Sequence, residues 1–249
     1  MDKKISNKST VDFYNQLMAE GKKVTFYGKN TRFNVFKILQ KKNIKKYFDQ
    51  LVKKFISNND LILDYGCGPG TFSIKLSRLT KNYVHSIDIT KSFISECKNN
   101  SKKMKIKNIK PKLVKGNKLP FRNKMFDTIV IVDVIHHLEN IDRNFKEIYR
   151  VLKDGGKIII YEPNKLNPLI AITHFLEKNE RGIFRVGTKK SYKKILNKFN
   201  MKQVYVNYSG IIIGPDSKIL ELISKILNVP LISVFFGWLN PKIVIVAKK

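Results

Sequence analysis

Three groups of residues in this chain have types and spacings that could do chemistry. In LILDYGCGPG, residues 61–70, a short apolar run ends on Asp64. It leads into Gly66, Gly68 and Gly70 at alternate positions, with Cys67 between the first two. A tight glycine turn between a strand and a helix lets main-chain amides approach a ligand that a Cβ would hold off. Asp88 stands 18 residues beyond Gly70, at the end of YVHSID. In a strand–helix–strand unit that position offers a carboxylate to ribose hydroxyls. The spacing is G-x-G-x-G, not the G-x-G-x-x-G of dinucleotide binders. The adjacent His136 and His137 follow the apolar run FDTIVIV, and neutral imidazole can take a proton from a hydroxyl near pH 7. Glu162 ends a second apolar run, KIIIYE, where it could orient or charge-balance a histidine.

The elements that must hold these groups alternate between strand and helix periodicity, which predicts a mostly parallel sheet covered on both faces. Residues 1–43 read as a polar lead-in, or lid, with an aromatic cluster of Phe26, Tyr27, Phe33 and Phe36. An amphipathic helix over 44–56 places Ile44, Tyr47, Phe48, Leu51, Val52, Phe55 and Ile56 on one side. Strands are expected at 61–64, 83–87, 112–114 and 126–132, then at KIIIY, near 203–207 and at 242–247. Helices are expected at 71–79, from the N-cap Thr90 to about 100, at 141–152 and at 189–200. Asp154-Gly155-Gly156 reads as the glycine stop of the helix before KIIIY. Segments 163–187 and 214–240 interrupt the repeat, so 44–249 is one domain with two insertions on the substrate side.

Composition narrows the field. A hydrophobic fraction of 43% excludes wholesale disorder, and 249 residues suffice for one large core. Two cysteines, Cys67 and Cys97, are too few for a disulfide framework and suit a reducing compartment. The first residues carry no apolar stretch of signal-peptide length, and no apolar run reaches the roughly 20 residues of a spanning helix. A cytoplasmic protein is expected, with contact to the inner face of a membrane left open. The formal charge of +30 invites a nucleic-acid reading, yet only seven of 49 basic residues are Arg. Phosphate-gripping surfaces favour the bidentate guanidinium, whereas here Lys is scattered over nearly every helix face. The charge therefore reads as compositional before it reads as a nucleic-acid surface.

With the order of motifs laid out, a resemblance is plain. LILDYGCGPGTFS and SIDIT resemble the first two motifs of class I S-adenosylmethionine-dependent methyltransferases, and KGNKLPF resembles the segment that holds the adenine. FDTIVIVDVIHHLEN and YRVLKDGGKIIIYEPN resemble the fourth- and fifth-strand motifs of the small-molecule, type 11 branch. The resemblance covers about residues 44–164, and more weakly to 200. It implies a Rossmann-like, doubly wound α/β sheet of seven strands, mostly parallel with an antiparallel last strand. It implies S-adenosylmethionine as cofactor. Gly66, Cys67, Gly68 and Gly70 would cradle the methionine and ribose, and Asp64 would orient that loop or the ammonium. Asp88 would take the ribose hydroxyls, Ile89 would pack on adenine, and Asn117 would stand where the family has Asp. Val132 and Asp133 would border the cofactor at the end of the fourth strand.

Methyl transfer from a sulfonium is an in-line displacement with an excellent leaving group, so alignment and exclusion of water do most of the work. A hydroxyl nucleophile also needs a base, for which His136 is favoured slightly over His137, with Glu162 as its neighbour. The alternative is that both histidines only pack the start of the helix. The sequence spacing shows no metal constellation and no Pro-Cys nucleophile. The expected acceptor is a small or lipid-linked molecule such as a sugar, a glycan or an isoprenoid-tailed phenol. Ile219, Leu220, Leu222, Ile223, Ile226 and Leu227 fall on one helix face, and VPLISVFFGWL follows. That stretch could lie on a membrane, cover a greasy acceptor, or be core or dimer surface. An RNA methyltransferase and a non-catalytic cofactor-binding module remain the competing readings.

Overall fold

The computed structural model describes residues 6–20, 33–116, 118–212 and 218–249. Asn117, Phe26 and Tyr27 lie outside the described residues, as do the first residues of the 214–240 segment.

Seven strands form one sheet: β1 (Ile62–Tyr65), β2 (Val84–Asp88), β3 (Ile109–Leu113), β4 (Phe126–Val132), β5 (Leu152–Pro163), β6 (Lys202–Ser209) and β7 (Lys242–Lys248). Their spatial order is β3-β2-β1-β4-β5-β7-β6. Strands β1 to β5 pair in parallel, and β7 runs antiparallel to both β5 and β6. The chain winds outward from β1 to β3 and then returns to place β4 on the other side of β1. That reversal opens a crevice at the carboxyl ends of β1 and β4, where ligands of such sheets bind.

The helices, in chain order, are α1 (Asn7–Glu20), α2 (Val35–Gln40), the helical stretch α3 over 42–55, α4 (Thr71–Ser77), α5 (Lys91–Lys103), α6 (Ile141–Val151) and α7 (Pro168–Leu176). They continue with α8 (Ile183–Val186), α9 (Lys189–Asn197), α10 (Lys218–Leu227) and α11 (Pro230–Phe236). Alternation along the central strands feeds two separate cores. Ile129 and Ile131 of β4 join Phe145, Ile148 and Tyr192 on one face. Val130 and Val132 join Phe48, Val52, Phe72 and Tyr161 on the other. Because both faces of β4 are covered, its second half, Ile129–Val132, is apolar without a break, and the strand's bounds coincide with the sequence expectation.

Two elements differ from expectation in an instructive way. The third strand starts at Ile109, earlier than 112, because residues 109–113 pair along β2. The Asp154-Gly155-Gly156 triplet does not stop a helix. Leu152 is already extended and caps α6 by donating to the Ile148 carbonyl. The triplet instead sits inside β5 at a register shift opposite β4, with Gly155 at φ +71°. A Cβ on Gly156 would lie 2.8 Å from the Lys153 carbonyl oxygen, so the bulge needs glycine there.

Phe48 ties α3 to the sheet, its ring centroid 4.7 Å from Phe72 and 5.1 Å from Tyr161. The Tyr161 hydroxyl donates to the Tyr47 carbonyl at 2.9 Å. Phe48→Ala should destabilise the fold by about 3–5 kcal/mol through lost burial and the cavity left behind, which denaturant unfolding measures.

Candidate active site

The glycine loop leaves β1 with Gly66, Gly68 and Gly70 at φ +77°, +52° and +93°. A Cβ on Gly66 would stand 2.3 Å from Val134 Cγ2, and one on Gly70 would stand 2.7 Å from Cys97 Sγ. The loop is thus wedged between the turn after β4 and helix α5. At Gly68 a Cβ meets nothing within 4 Å, because this residue faces the crevice. The Gly68 amide donates to Asp88 Oδ2 at 3.0 Å and the Thr90 amide to Oδ1 at 2.8 Å. Burial pushes the Asp88 carboxyl above its ordinary range, and the donors on Thr90 and Gly68 pull the other way.

The crevice is lined by Gly66, Cys67, Gly68, Asp88, Ile89, Val132 and Asp133. Gly116 and Leu119 continue the wall on either side of Asn117. Glu147 and Arg150 of α6 hold that stretch. Glu147 Oε2 accepts from the Leu119 amide at 2.8 Å, while Arg150 donates to the carbonyls of Leu119 and Phe121. Asp64 and Gly70 stand behind the lining. Asp64 is buried and accepts from Ser73 Oγ at 2.6 Å, which anchors the start of α4 to β1. Burial raises its pKa to about 7, with Ser73 opposing and Asp88 adding to the rise.

Opposite the glycine loop, the turn after β4 carries the histidines. Asp133 adopts φ +58°, its amide donates to the Tyr161 carbonyl, and its carboxylate pairs with Lys242. Glu162 Oε1 accepts from the amides of Val134 and Ile135 at 2.7 and 2.8 Å. Its Oε2 lies 2.6 Å from His136 Nδ1, so Glu162 stands beside this histidine. His136 is fully buried, with Nε2 3.1 Å from Glu180 Oε2. Burial lowers its pKa, but the two carboxylates outweigh that and hold it up at about 9. His136 does not reach the crevice. His137 does, with Nε2 3.1 Å from the Tyr14 hydroxyl and 3.5 Å from Glu180 Oε2.

Sequence reasoning missed Tyr14, His174 and Glu180. Tyr14 reaches the crevice from α1, packed on Phe93 at 5.2 Å and Phe33 at 5.9 Å between ring centroids. His174 Nε2 lies 3.7 Å from Glu180 Oε2. No local pattern marks these residues. The one available signal is that histidine is scarce, four in 249 residues, and three of the four converge here.

Comparison with known proteins gives this arrangement a family. Residues 56–201 match the family model described as a methyltransferase domain, more than half of the chain. The chain belongs to that family and is, by family and fold, a class I S-adenosylmethionine-dependent methyltransferase. Over 124 residues it is 33% identical to the ubiquinone/menaquinone biosynthesis C-methyltransferase of Rickettsia prowazekii, covering 47% of this chain and 50% of that one. The chain spans about half the length of the curated relatives it matches. In fold it resembles the PH0226 protein of Pyrococcus horikoshii (TM-score 0.61, 20% identity, 88% of this chain and 95% of that one). It likewise resembles a SAM-dependent methyltransferase of Aquifex aeolicus (TM-score 0.60, 16% identity, 86% and 96%).

The geometry separates the glycines. Gly68→Ala should fold, at a cost of about 1–2 kcal/mol for its left-handed backbone, while the new methyl weakens S-adenosylmethionine binding about tenfold or more by calorimetry. Gly66→Ala should be the more destabilised of the two in the same unfolding assay, because its methyl collides with Val134. Asp64 predicts a pH effect. Its folded pKa of about 7 exceeds the ordinary 3.8, so its contribution is full below about pH 4 and lost as pH rises to 7. The melting temperature of Asp64→Asn relative to the parent should therefore climb between pH 4 and 8.

Proposed function

We propose that the protein transfers the methyl group of S-adenosylmethionine to an oxygen of an apolar, lipid-linked acceptor at an anionic membrane surface. The observation that carries this reading is the exposed apolar face of α7, α10 and α11. Leu169 and Phe175 of α7 are 58% and 59% exposed, and Leu231, Val234 and Phe235 of α11 are 74%, 77% and 67% exposed. The two regions are stitched together. Asn164 donates to the Trp238 carbonyl at 2.6 Å, and Asn167 donates to the Leu239 carbonyl. Exposed apolar side chains in this number are costly in water, and lipid or a lipid-tailed ligand relieves that cost. Among the described residues no single helix is long and apolar enough to cross a membrane. The segments Glu221–Leu227 and Pro230–Leu239 meet at a 92° bend, which suits a surface-lying element. The lysine excess adds attraction to anionic headgroups. The Rickettsia relatives are named C-methyltransferases of ubiquinone and menaquinone biosynthesis; that naming supports the acceptor class, an isoprenoid-tailed phenol, while the choice of oxygen over carbon rests on the histidine at the crevice wall.

In this reading the chain's own residues align and deprotonate. Gly66, Gly68 and Asp88 would hold the cofactor, which supplies the methyl group. His137, on the crevice wall, takes the proton of the acceptor hydroxyl, which moves the preference from His136 to its neighbour. His136 keeps the turn in place through Glu162, and Tyr14 orients the His137 ring.

The test uses S-adenosylmethionine carrying a labelled methyl group, offered with anionic vesicles containing a prenylated phenol, with neutral vesicles, and with RNA. Label should enter the phenol, fastest on anionic vesicles; label entering RNA overturns the reading. His137→Ala should slow transfer about a hundredfold or more while cofactor binding persists, and undiminished transfer excludes it as the base. Val234→Glu with Phe235→Glu should release the protein from vesicles in a flotation assay.

A further inference from the structure

Behind the crevice wall, imidazoles gather around a single carboxylate oxygen. Glu180 Oε2 lies 3.1 Å from His136 Nε2 and 3.7 Å from His174 Nε2, and the three ligand atoms all fall within 4.8 Å of one another. His137 Nε2 approaches the same oxygen at 3.5 Å from the crevice side. All four side chains are buried. We propose that His136, His174 and Glu180 form a binding site for one divalent transition-metal ion of the zinc class.

The separations suit this chemistry. A tetrahedral ion with metal–nitrogen bonds of about 2.0–2.1 Å sets its ligand atoms roughly 3.3 Å apart. The observed 3.1 and 3.7 Å to Glu180 Oε2 bracket that value, and the third separation, within 4.8 Å, closes by rotation of side chains on different elements. The ligand set of two imidazoles and a carboxylate favours zinc-like ions over magnesium, which prefers an all-oxygen shell.

The surroundings are built as metal sites are built. A metal-bound histidine usually donates its other ring nitrogen to a carboxylate or carbonyl, which fixes the ring and raises its basicity. His136 Nδ1 sits 2.6 Å from Glu162 Oε2, and Glu162 is itself fastened by the Val134 and Ile135 amides. His174 Nδ1 lies 3.4 Å from Thr173 Oγ1. The Tyr14 hydroxyl stands 3.4 Å from the other oxygen of Glu180 and borders that carboxylate. Two helices, two 3₁₀ turns and a strand thus converge on one point.

The site needs neither the acceptor nor methyl transfer, so its test is independent of the reaction proposed above. The untagged full chain is stripped with chelator, reloaded with Zn²⁺, passed through gel filtration and assayed for metal by plasma mass spectrometry. About one zinc per chain should stay bound to the parent, and at least about tenfold less to His174→Ala and Glu180→Gln. Circular dichroism and cofactor binding check that both variants fold. Should either fail to fold, Co²⁺ substitution of the parent supplies the second readout. A buried site containing imidazoles gives intense visible absorption, abolished by one equivalent of Zn²⁺ and untouched by excess Mg²⁺. Zinc far below one per chain in the parent, or equal in parent and folded variants, overturns the site. Weak cobalt absorption that Zn²⁺ does not displace overturns it too.

Discussion

The carboxylate of Glu162 fixes the relation between the two halves of the site. It stands near the end of β5, yet its oxygens are spent on the neighbouring strand's exit: two amides of the turn after β4 and one nitrogen of His136. A charge this deeply buried survives only with several donors around it. The same bonds aim Val134 at the glycine loop, where Gly66 has no Cβ and Val134 fills the vacancy. Position and packing are therefore one arrangement. If Glu162 were lost, the turn would be freed, and the wall against which the glycine loop is pressed would move with it.

Around this clamp the protein distributes its polar and apolar demands unevenly. The sheet interior is covered on both faces by separate cores, and the crevice lies at the carboxyl ends of β1 and β4. Asp88 lines the crevice and Asp64 stands behind it, and burial raises both. A cationic sulfonium cofactor with an ammonium group suits such a place, because it supplies the positive charge that two desolvated carboxylates favour. On the opposite side, α7, α10 and α11 hold little of the core and leave their larger side chains outside.

How much of this could be read from the chain depends on the distance over which each feature is encoded. The glycine loop and the adjoining Asp88 are local, so spacing alone located them. β4 is apolar on both faces and was legible to its last residue. β5 was not, because a glycine pair carries the same letters in a helix stop and in a strand bulge. The difference lies in the Leu152 backbone, which turns extended before the glycines arrive. Tyr14 and Glu180 are 166 residues apart and meet only once α1 has docked. The apolar stretch of 219–238 was visible as apolar, but periodicity cannot say whether a greasy helix face is covered.

Tyr14 links access to alignment. Its ring walls the crevice from α1, and its hydroxyl is the group against which His137 is set. Any movement of α1 wide enough to admit or release a ligand on that side breaks the bond that orients the histidine. Access on that side and the setting of the imidazole therefore rest on one and the same bond.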